Sequence, residues 1–281
     1  MSQGYVLYNP IAGNREYADN IDLLEIVFGM VLNFVDITEI TDYSEIMGAL
    51  QPEDFLVLCG GDGTLNRFVN DTKDYDIKNV IYYVPSGSGN DFALDMNRSK
   101  GCDPFVINKQ LKKLPSVTVN DKTFRFINGV GFGIDGYCCE IGDEQREFST
   151  KPINYTAIAI KGLLFHYKPT KAKIIVDGKT YNYNNVWLAP TMFGRYYGGG
   201  MIPAPDQSRD KSYLSVMVYH SKSKLKALCA FPSIFKGNHV KYKKMVSVHS
   251  GKNITVEYEC HRSLQIDGET IKNVKSYTAV I

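Results

Sequence analysis

Gly60-Gly61-Asp62-Gly63-Thr64 follows an apolar run at residues 55–58 and precedes a helix-like segment at residues 65–69. Glycine lets a backbone approach a ligand closely, and successive N–H groups form a nest that suits a phosphate. A glycine-rich turn between a strand and a helix is typical of an α/β sheet, which holds its ligand beyond the carboxyl ends of its strands. This stretch therefore predicts a parallel sheet with a phosphate site.

Two more loops have the same setting. Residues 9–13 (Asn-Pro-Ile-Ala-Gly) follow the strand-like residues 5–8, and residues 85–91 (Pro-Ser-Gly-Ser-Gly-Asn-Asp) follow the strand-like residues 80–84. A lone glycine pair is usually only a tight turn, but three such loops in register favour a ligand site. The candidate phosphate-binding residues are Asn9, Pro10, Gly60, Gly61, Gly63, Thr64, Ser86, Gly87, Ser88, Asn90 and Asp91.

Two acidic residues lie inside these loops. A carboxylate among N–H groups would repel a phosphate unless it held a cation, so Asp62 and Asp91 indicate magnesium or a water-mediated contact. Neither the Walker A pattern nor the dinucleotide fingerprint Gly-x-Gly-x-x-Gly occurs in these loops, so the phosphate must be held in another way.

The chain changes character near Pro115. Before it, short apolar runs alternate with helix-like segments, which is the pattern of a parallel sheet flanked by helices. After it, separated strands and hairpin turns dominate, with helical candidates only at residues 154–167 and 222–235. We predict an α/β domain at residues 1–115 and a β-rich, mainly antiparallel domain at residues 116–281, whose last residues could return to the first domain.

Composition excludes several classes of protein. Of 281 residues, 44% are hydrophobic and 22% are charged, which is ordinary for a globular protein and unlike a disordered or coiled-coil chain. A net charge of +2 gives no argument for nucleic-acid binding. The six cysteines form no Cys-x-x-Cys pair, and no secretory signal or apolar stretch of roughly 20 residues is present. We expect reduced thiols, a cytoplasmic location and no transmembrane segment.

These motifs resemble the diacylglycerol kinase catalytic family, which includes bacterial lipid kinases and sphingosine kinases. Residues 9–13 resemble its Asn-Pro loop and residues 60–64 its Gly-Gly-Asp-Gly-Thr loop. Residues 85–93 resemble its Pro-x-Gly-Thr-x-Asn-Asp-Phe-Ala element, with Ser88 in place of the threonine. The resemblance continues through residues 128–135, 197–200, 236–239 and 265–269, and so covers nearly the whole chain.

The resemblance implies a fold and an activity. The first domain would be similar to phosphofructokinase and NAD kinase, and ATP would bind between the domains with magnesium. The enzyme would transfer the γ-phosphate to the hydroxyl of a membrane lipid, with diacylglycerol as the default and sphingoid bases or other lipids left open. Relatives carry Asp-Gly-x-Leu at a structural magnesium site, whereas this chain has Arg209-Asp210-Lys211-Ser212-Tyr213-Leu214, so Asp210 is a candidate ligand in an altered segment.

The candidate catalytic residues are Glu269, Asp267 and Asp62. Phosphoryl transfer needs a carboxylate near the acceptor hydroxyl, and residues 265–269 match the family's acidic motif. An ordinary hairpin turn is the alternative there, and which of Asp267 and Glu269 takes the proton is open. Asp135 is explained equally well as a cap and as a polar group of the site.

Two further segments have two interpretations each. Residues 158–165 are apolar enough to line an acyl cleft, although a buried helix is the commoner outcome. Lys236, His239, Lys241, Lys243 and Lys244 form either a solvated face or a surface for an anionic membrane. The expected partners are a lipid at the inner membrane face and no nucleic acid, with a homodimer left open.

Two other functions remain open at this point. NAD kinase shares the Gly-Gly-Asp-Gly-Thr loop and the broad architecture, although Asn9-Pro10 and residues 90–93 look more like the lipid branch. A nucleotide-binding regulator without catalysis is the third interpretation. The acidic residues of the motifs argue against a regulator, and the altered Asp210 segment argues for it.

Overall fold

The computed structural model of the chain describes residues 2–10, 23–148 and 153–281, without the side chain of Thr156. It divides into two compact units, Met1–Lys113 and Leu114–Ile281. The sequence also predicts a helix at residues 17–28, and the first half of this segment lies outside the described residues, as do residues 11–13 of the first loop.

The first unit is built on a mostly parallel sheet. Its strands are β1 (Gly4–Tyr8), β2 (Leu32–Asp36), β3 (Phe55–Gly60), β4 (Val80–Pro85) and β5 (Phe105–Val106), in the order β2-β1-β3-β4-β5. The pairs β1–β2, β1–β3 and β3–β4 are parallel, and β5 adds an antiparallel edge. The described helices are α1 (Leu23–Phe28), α2 (Ser44–Ala49), α3 (Asp62–Asp71), α4 (Asp91–Asp95) and α5 (Asn108–Leu111).

Burial explains why these residues form a parallel sheet. The central strand β3 has Leu56, Val57, Leu58 and Cys59 fully buried, so both of its faces are covered. Parallel strands need this, because the crossover helices lie on both faces of the sheet. The predicted α/β architecture is confirmed, and the glycine loops lie at the carboxyl ends of β1, β3 and β4.

The second unit is an antiparallel barrel with an attached extension. Its strands are β6 (Ser116–Val119), β7 (Lys122–Arg125), β8 (Gly129–Phe132), β9 (Thr170–Val176), β10 (Lys179–Leu188), β11 (Thr191–Met192), β12 (Leu214–His220), β13 (Val246–Gly251), β14 (Asn253–Ile266) and β15 (Glu269–Val280). The order is β7-β6-β15-β14-β8-β11-β12-β10-β9, and β9 pairs again with β14 to close the barrel. The predicted β-rich, antiparallel architecture is confirmed. The last strand, β15, pairs with β14 and β6 within this unit.

Helices cover part of the barrel. They are α6 (Ile134–Phe148), α7 (Tyr155–Lys161), which continues into the π-helix Gly162–His166, and α8 (Lys224–Ala230), which is followed by the 3-10 helices Phe231–Lys236 and Asn238–Lys241. Two of these regions match the predicted helices at residues 154–167 and 222–235. Helix α6 lies outside these two regions and was not predicted.

Helix α6 was missed because glycines interrupt its beginning. Gly133 and Gly136 weaken helix propensity, but Gly136 is required by packing: a Cβ there would lie 1.9 Å from the Ser263 carbonyl oxygen on β14. The inward spacing of Ile134, Cys138 and Gly142 was the available signal.

The second unit has its apolar residues in two clusters. The barrel interior contains Val130, Phe132, Ile174, Val216 and Val256, all fully buried. A second cluster lies between the barrel wall and the helices, where Trp187 and Met217 pack with residues of α6, α7 and α8. Within the described residues, no helix is both long and apolar enough to cross a membrane.

Candidate active site

The three predicted loops of the first unit contact one another at the carboxyl edge of the sheet. The Asn9 amide donates to the Thr64 hydroxyl at 3.1 Å. The Asn9 backbone N–H donates to the Cys59 carbonyl at 3.1 Å, and the Ser86 N–H donates to the Gly60 carbonyl at 3.0 Å. Pro10 lies half-buried directly after Asn9. The structure therefore places the candidate residues of all three loops together.

Close backbone contact explains the glycines of these loops. A Cβ on Gly87 would lie 2.4 Å from the Gly61 Cα, and a Cβ on Gly61 would lie 2.9 Å from the Gly87 Cα. A Cβ on Gly60 would lie 2.4 Å from the Thr64 side chain. Real Cβ atoms do not approach other atoms this closely, so these positions need glycine. Glycine at 61 and 87 allows the backbones of the second and third loops to touch.

Asp62 stabilises the third loop. Its two carboxylate oxygens accept the backbone N–H groups of Asp91 and Phe92, each at 2.9 Å, and thereby cap α4. Asn90 adopts a left-handed conformation at φ 52°, and its side chain bonds both the N–H and the carbonyl of Gly87. The sequence predicted a metal or catalytic role for Asp62, and the structure also gives it a structural one.

The beginning of α3 is left as the candidate anion site. Its N-cap residue is Gly61, which has no side chain to cover the first turn of the helix. The first turn of a helix carries N–H groups without helical partners and the positive end of the helix dipole, so it attracts phosphate. Gly63 and Ser88 are exposed beside this edge, whereas Thr64, Asn90 and Asp91 are buried. The Ser86 hydroxyl is also buried and has no hydrogen-bond partner among the described residues.

The acidic motif of the second unit forms the turn between β14 and β15. Asp267 (φ 49°) and Gly268 (φ 99°) both have left-handed backbones, as a tight hairpin requires. The Asp267 carboxylate accepts the N–H groups of Ile127, Asn128 and Gly129 at 2.6, 2.8 and 2.9 Å. Both oxygens of Asp267 therefore hold a neighbouring turn.

Glu269 and Arg209 differ in their surroundings. Glu269, the first residue of β15, is exposed. The Arg209 guanidinium donates to the Ile127 carbonyl and, at 2.6 Å, to the Asn128 side-chain oxygen. Asp267 and Arg209 thus fix the turn at residues 127–129 through its N–H groups and its oxygens, respectively.

A buried carboxyl group, that of Asp135, lies close to Gly131 of β8 and to Gln265 of β14. Burial raises the pKa of Asp135 to about 7, although hydrogen bonds from Gly136, Tyr197 and Gln265 oppose the rise. Gln265 also accepts the Gly268 N–H at 2.7 Å, so it connects Asp135 to the hairpin turn. The sequence left Asp135 undecided. The available signal was Gly131, which leaves room for the carboxyl: a Cβ there would lie 1.8 Å from an Asp135 oxygen.

The structure gives limited support for metal ligands. In the described part of the chain, no group of three or more His, Cys, Asp or Glu side chains could hold a metal ion. Magnesium often binds through one or two carboxylates together with substrate phosphates. Asp62 and Asp91 are the carboxylates of the glycine loops, and their role with a nucleotide-bound ion stays a prediction. The Asp210 N–H donates to the Ser208 hydroxyl at 3.4 Å. The role of the Asp210 carboxylate as a ligand of structural magnesium stays a prediction.

An apolar groove lies between α6 and α7. Its volume is about 480 Å³, and it is lined by Tyr137, Ile141, Gln145, Asn154, Ala157, Ile158, Lys161 and His166. This volume is within the usual range of small-molecule sites. The predicted apolar stretch at residues 158–165 is thus partly buried helix and partly groove wall.

Comparison with known proteins identifies the family. The family model of the diacylglycerol kinase catalytic domain matches residues 3–119, and the model described as "YegS C-terminal NAD kinase beta sandwich-like domain" matches residues 128–280, more than half of the chain. The chain belongs to the diacylglycerol kinase family. It is therefore a kinase of the lipid kinase type, and the predicted resemblance is confirmed.

Individual relatives agree with this assignment. The chain is 25% identical over 296 residues to the "Putative lipid kinase YtlR" of Bacillus subtilis, with 96% of this chain and 94% of the relative covered. It is 26% identical over 226 residues to a "Putative lipid kinase" of Staphylococcus aureus (strain Mu3), covering 77% and 70% of the two chains. A crystal structure titled a putative diacylglycerol kinase from Bacillus anthracis has the same fold, with a TM-score of 0.65, 18% identity and coverage of 99% and 93%.

Proposed function

We propose that this diacylglycerol kinase family member transfers the γ-phosphate of ATP to the hydroxyl of diacylglycerol. The observation that carries the proposal is the beginning of α3, where the N-cap residue is Gly61 and its backbone lies in close contact with Gly87 of the third loop. The N–H groups of a first helical turn and the positive end of the helix dipole suit the phosphates of a nucleotide. We assign nucleotide binding to the unit at residues 1–113 and lipid binding to the unit at residues 114–281.

The proposed nucleotide site uses residues in two ways. The backbone at Gly61 and Gly63 and the exposed Ser88 would contact phosphate, while Asn9, Thr64, Ser86, Gly87 and Asn90 would shape the loops. Asp62 and Asp91 would hold a magnesium ion with the nucleotide, and this ion would neutralise phosphate charge during transfer.

For proton removal, we propose Glu269 as the general base and Asp267 as a positioning residue. Both Asp267 oxygens already accept backbone N–H groups, so protonation of this carboxylate would weaken bonds that hold residues 127–129. Glu269 is exposed and so is accessible to a substrate hydroxyl. In the same unit, the groove between α6 and α7 is our candidate for an acyl chain, because its wall is largely apolar.

NAD is the second candidate acceptor, because the matched C-terminal model is described as NAD kinase-like. The test is phosphate transfer from labelled ATP to diacylglycerol in detergent micelles, to sphingosine, to NAD, and to no acceptor. We expect labelled product with diacylglycerol that extracts into organic solvent. Transfer to NAD alone would overturn the lipid assignment, and nucleotide binding without transfer to any acceptor would indicate a regulator.

A further inference from the structure

The turn at residues 127–129 is buried, and its backbone is fully hydrogen-bonded. Its three N–H groups donate to the Asp267 carboxylate. Its three carbonyls accept, in chain order, from Arg209, from the N–H groups of residues 193 and 194, and from the Asp267 N–H. A buried polar group that loses its partner cannot bond to water instead, so a change in any of these partners is costly.

One peptide bond of this turn lies between a cation and an anion. The Arg209 guanidinium donates to the Ile127 carbonyl, and the next N–H, that of Asn128, donates to the Asp267 carboxylate at 2.8 Å. This carbonyl and this N–H belong to the same peptide unit. Hydrogen bonds in such a chain polarise one another, so the cation on the carbonyl strengthens the bond to the carboxylate. Arg209 therefore acts on Asp267 through the peptide bond.

The Arg209 side chain has a defined orientation. Its guanidinium also donates to the Asn128 side-chain oxygen at 2.6 Å, and it lies over the Phe193 ring, 5.3 Å from the ring centroid. A planar guanidinium can bond two acceptors while it stacks on an aromatic ring, whereas a lysine ammonium is a compact point charge on a flexible stem. These contacts therefore favour arginine over lysine at this position.

The same turn holds the beginning of β15. Asp267 lies in the tight hairpin between β14 and β15, and only Gly268 separates it from Glu269. The Gly268 N–H is bonded to Gln265 at 2.7 Å, so the hairpin has little freedom to adjust. A shift of Asp267 relative to the turn at residues 127–129 would therefore also move Glu269.

We propose that Arg209 is a positioning residue for phosphoryl transfer, which holds the turn at residues 127–129 and thereby sets the place of Asp267 and Glu269. The inference rests on the proposed function, in which Glu269 removes the proton of the acceptor hydroxyl. Arg209 begins the segment at residues 209–214, which departs from the Asp-Gly-x-Leu pattern of relatives. The role therefore follows from contacts of this chain and not from a motif of the family.

Steady-state kinetics test the positioning role. Arg209→Gln should lower kcat on a short-chain diacylglycerol by about 10- to 100-fold, because small displacements of a catalytic group cost this much. The KM for ATP should stay within about twofold of the wild-type value, since nucleotide binding is assigned to the other unit. Arg209→Lys keeps the charge and should lose only about three- to tenfold. The fluorescence of Trp187, in the same unit, would show that each variant is folded.

A double variant tests whether Arg209 acts through Asp267. Residues that act as a unit have non-additive effects, so adding Arg209→Gln to Asp267→Asn should lower kcat by no more than about threefold further. A loss in the double variant equal to the product of the two single losses would show independent action and overturn the proposal.

Arg262 provides a matched control. Its guanidinium also donates to a backbone carbonyl, that of Lys168 at 3.0 Å, and also lies over an aromatic ring, 4.9 Å from the centroid of Tyr167. Arg262→Gln should keep kcat within about twofold of the wild type, as is usual for substitutions away from a site. Equal losses of kcat in Arg209→Gln and Arg262→Gln would reveal a general effect of removing a packed guanidinium and would contradict the proposal.

Hydrogen–deuterium exchange tests the contact without any substrate. Arg209→Gln should speed exchange of the N–H groups at residues 127–129 by about tenfold or more, and Arg262→Gln should not. Unchanged exchange at these residues would overturn the proposal even if kcat fell. A wild-type protein that transfers phosphate to no acceptor would contradict the proposed function and, with it, the role of Arg209. Full wild-type kcat in Arg209→Gln would contradict the role of Arg209 alone.

Discussion

At the scale of single residues, Asp267 and Glu269 lie two positions apart but differ in their contacts and exposure. Asp267 accepts three backbone N–H groups from residues 127–129, while Glu269 is exposed at the beginning of β15. The sequence identified this motif but left the base undecided. The contacts that distinguish Asp267 from Glu269 join residues about 140 positions apart, and no local sequence pattern reports such contacts.

Asp267→Asn should lower the free energy of unfolding by about 2–3 kcal/mol. The amide removes the charge, and its NH₂ group would face N–H donors, so charge-assisted hydrogen bonds are lost. Urea unfolding followed by tryptophan fluorescence would measure this, since the single tryptophan, Trp187, is in the same unit. Full stability with a large loss of kcat would instead make Asp267 the base.

Glu269→Gln should lower kcat by about 10²–10⁴ and leave the free energy of unfolding unchanged, because the side chain is exposed. The KM for ATP should change little, since nucleotide binding is assigned to the other unit. Steady-state kinetics with the best lipid acceptor would test this. If Glu269→Gln kept a kcat near that of the wild type, residues 265–269 would be only a structural hairpin.

Asp135 should make stability depend on pH. Burial raises its pKa in the folded protein to about 7 from an ordinary value of 3.8, so folding takes up a proton between these pH values. Its contribution to stability is therefore complete below pH 3.8 and is lost as the pH rises through about 7, at up to about 1.4 kcal/mol per pH unit.

Asp135→Asn removes that proton uptake. Between about pH 5 and pH 7, the wild type should lose about 2 kcal/mol of unfolding free energy relative to the variant. Urea unfolding of both proteins across this range would give the difference between the two slopes. Parallel slopes would show that Asp135 is ionised in the folded protein over the whole range.

At the scale of secondary-structure elements, local chemistry determines what the sequence can predict. Strands β1, β3 and β4 were predictable because buried parallel strands are continuous apolar runs that end in glycine-rich turns. Helix α6 was not predictable in this way, because Gly136 weakens the helical pattern. That glycine is required by the close packing of α6 against β14. The capping of α4 by Asp62 was also hidden, because it links residues from two separate loops.

The contact between the second and third glycine loops can be tested with alanine. Gly87→Ala should cost about 1–3 kcal/mol of stability and weaken ATP binding, because its Cβ would lie 2.4 Å from the Gly61 Cα. Gly48→Ala is the control: it lies in α2 with no atom near its Cβ, and it should add about 0.5–1 kcal/mol. Thermal unfolding and ATP titration would compare the two variants. Equal stability and equal ATP affinity of both variants would show that the contact between Gly61 and Gly87 is unimportant.

At the scale of the whole molecule, the two units should respond to different ligands. In hydrogen–deuterium exchange, ATP with magnesium should protect amides at residues 60–65 and 86–92. A short-chain diacylglycerol should protect amides of α6 and α7, which form the groove. Ligand binding slows exchange by stabilising the structure around the site. The reverse pattern of protection would overturn our assignment of nucleotide and lipid to the two units.

The aspartates that hold the loops also affect the chemical degradation of the chain. Asp62 and Asp267 are each followed by glycine, a pairing in which the next backbone nitrogen readily attacks the side chain and forms isoaspartate. Both carboxylates are held by N–H groups from elsewhere in the chain, and the Gly268 nitrogen is itself bonded to Gln265. The folded protein therefore shields these two Asp-Gly bonds from spontaneous isomerisation, and an unfolded chain would lose that shielding.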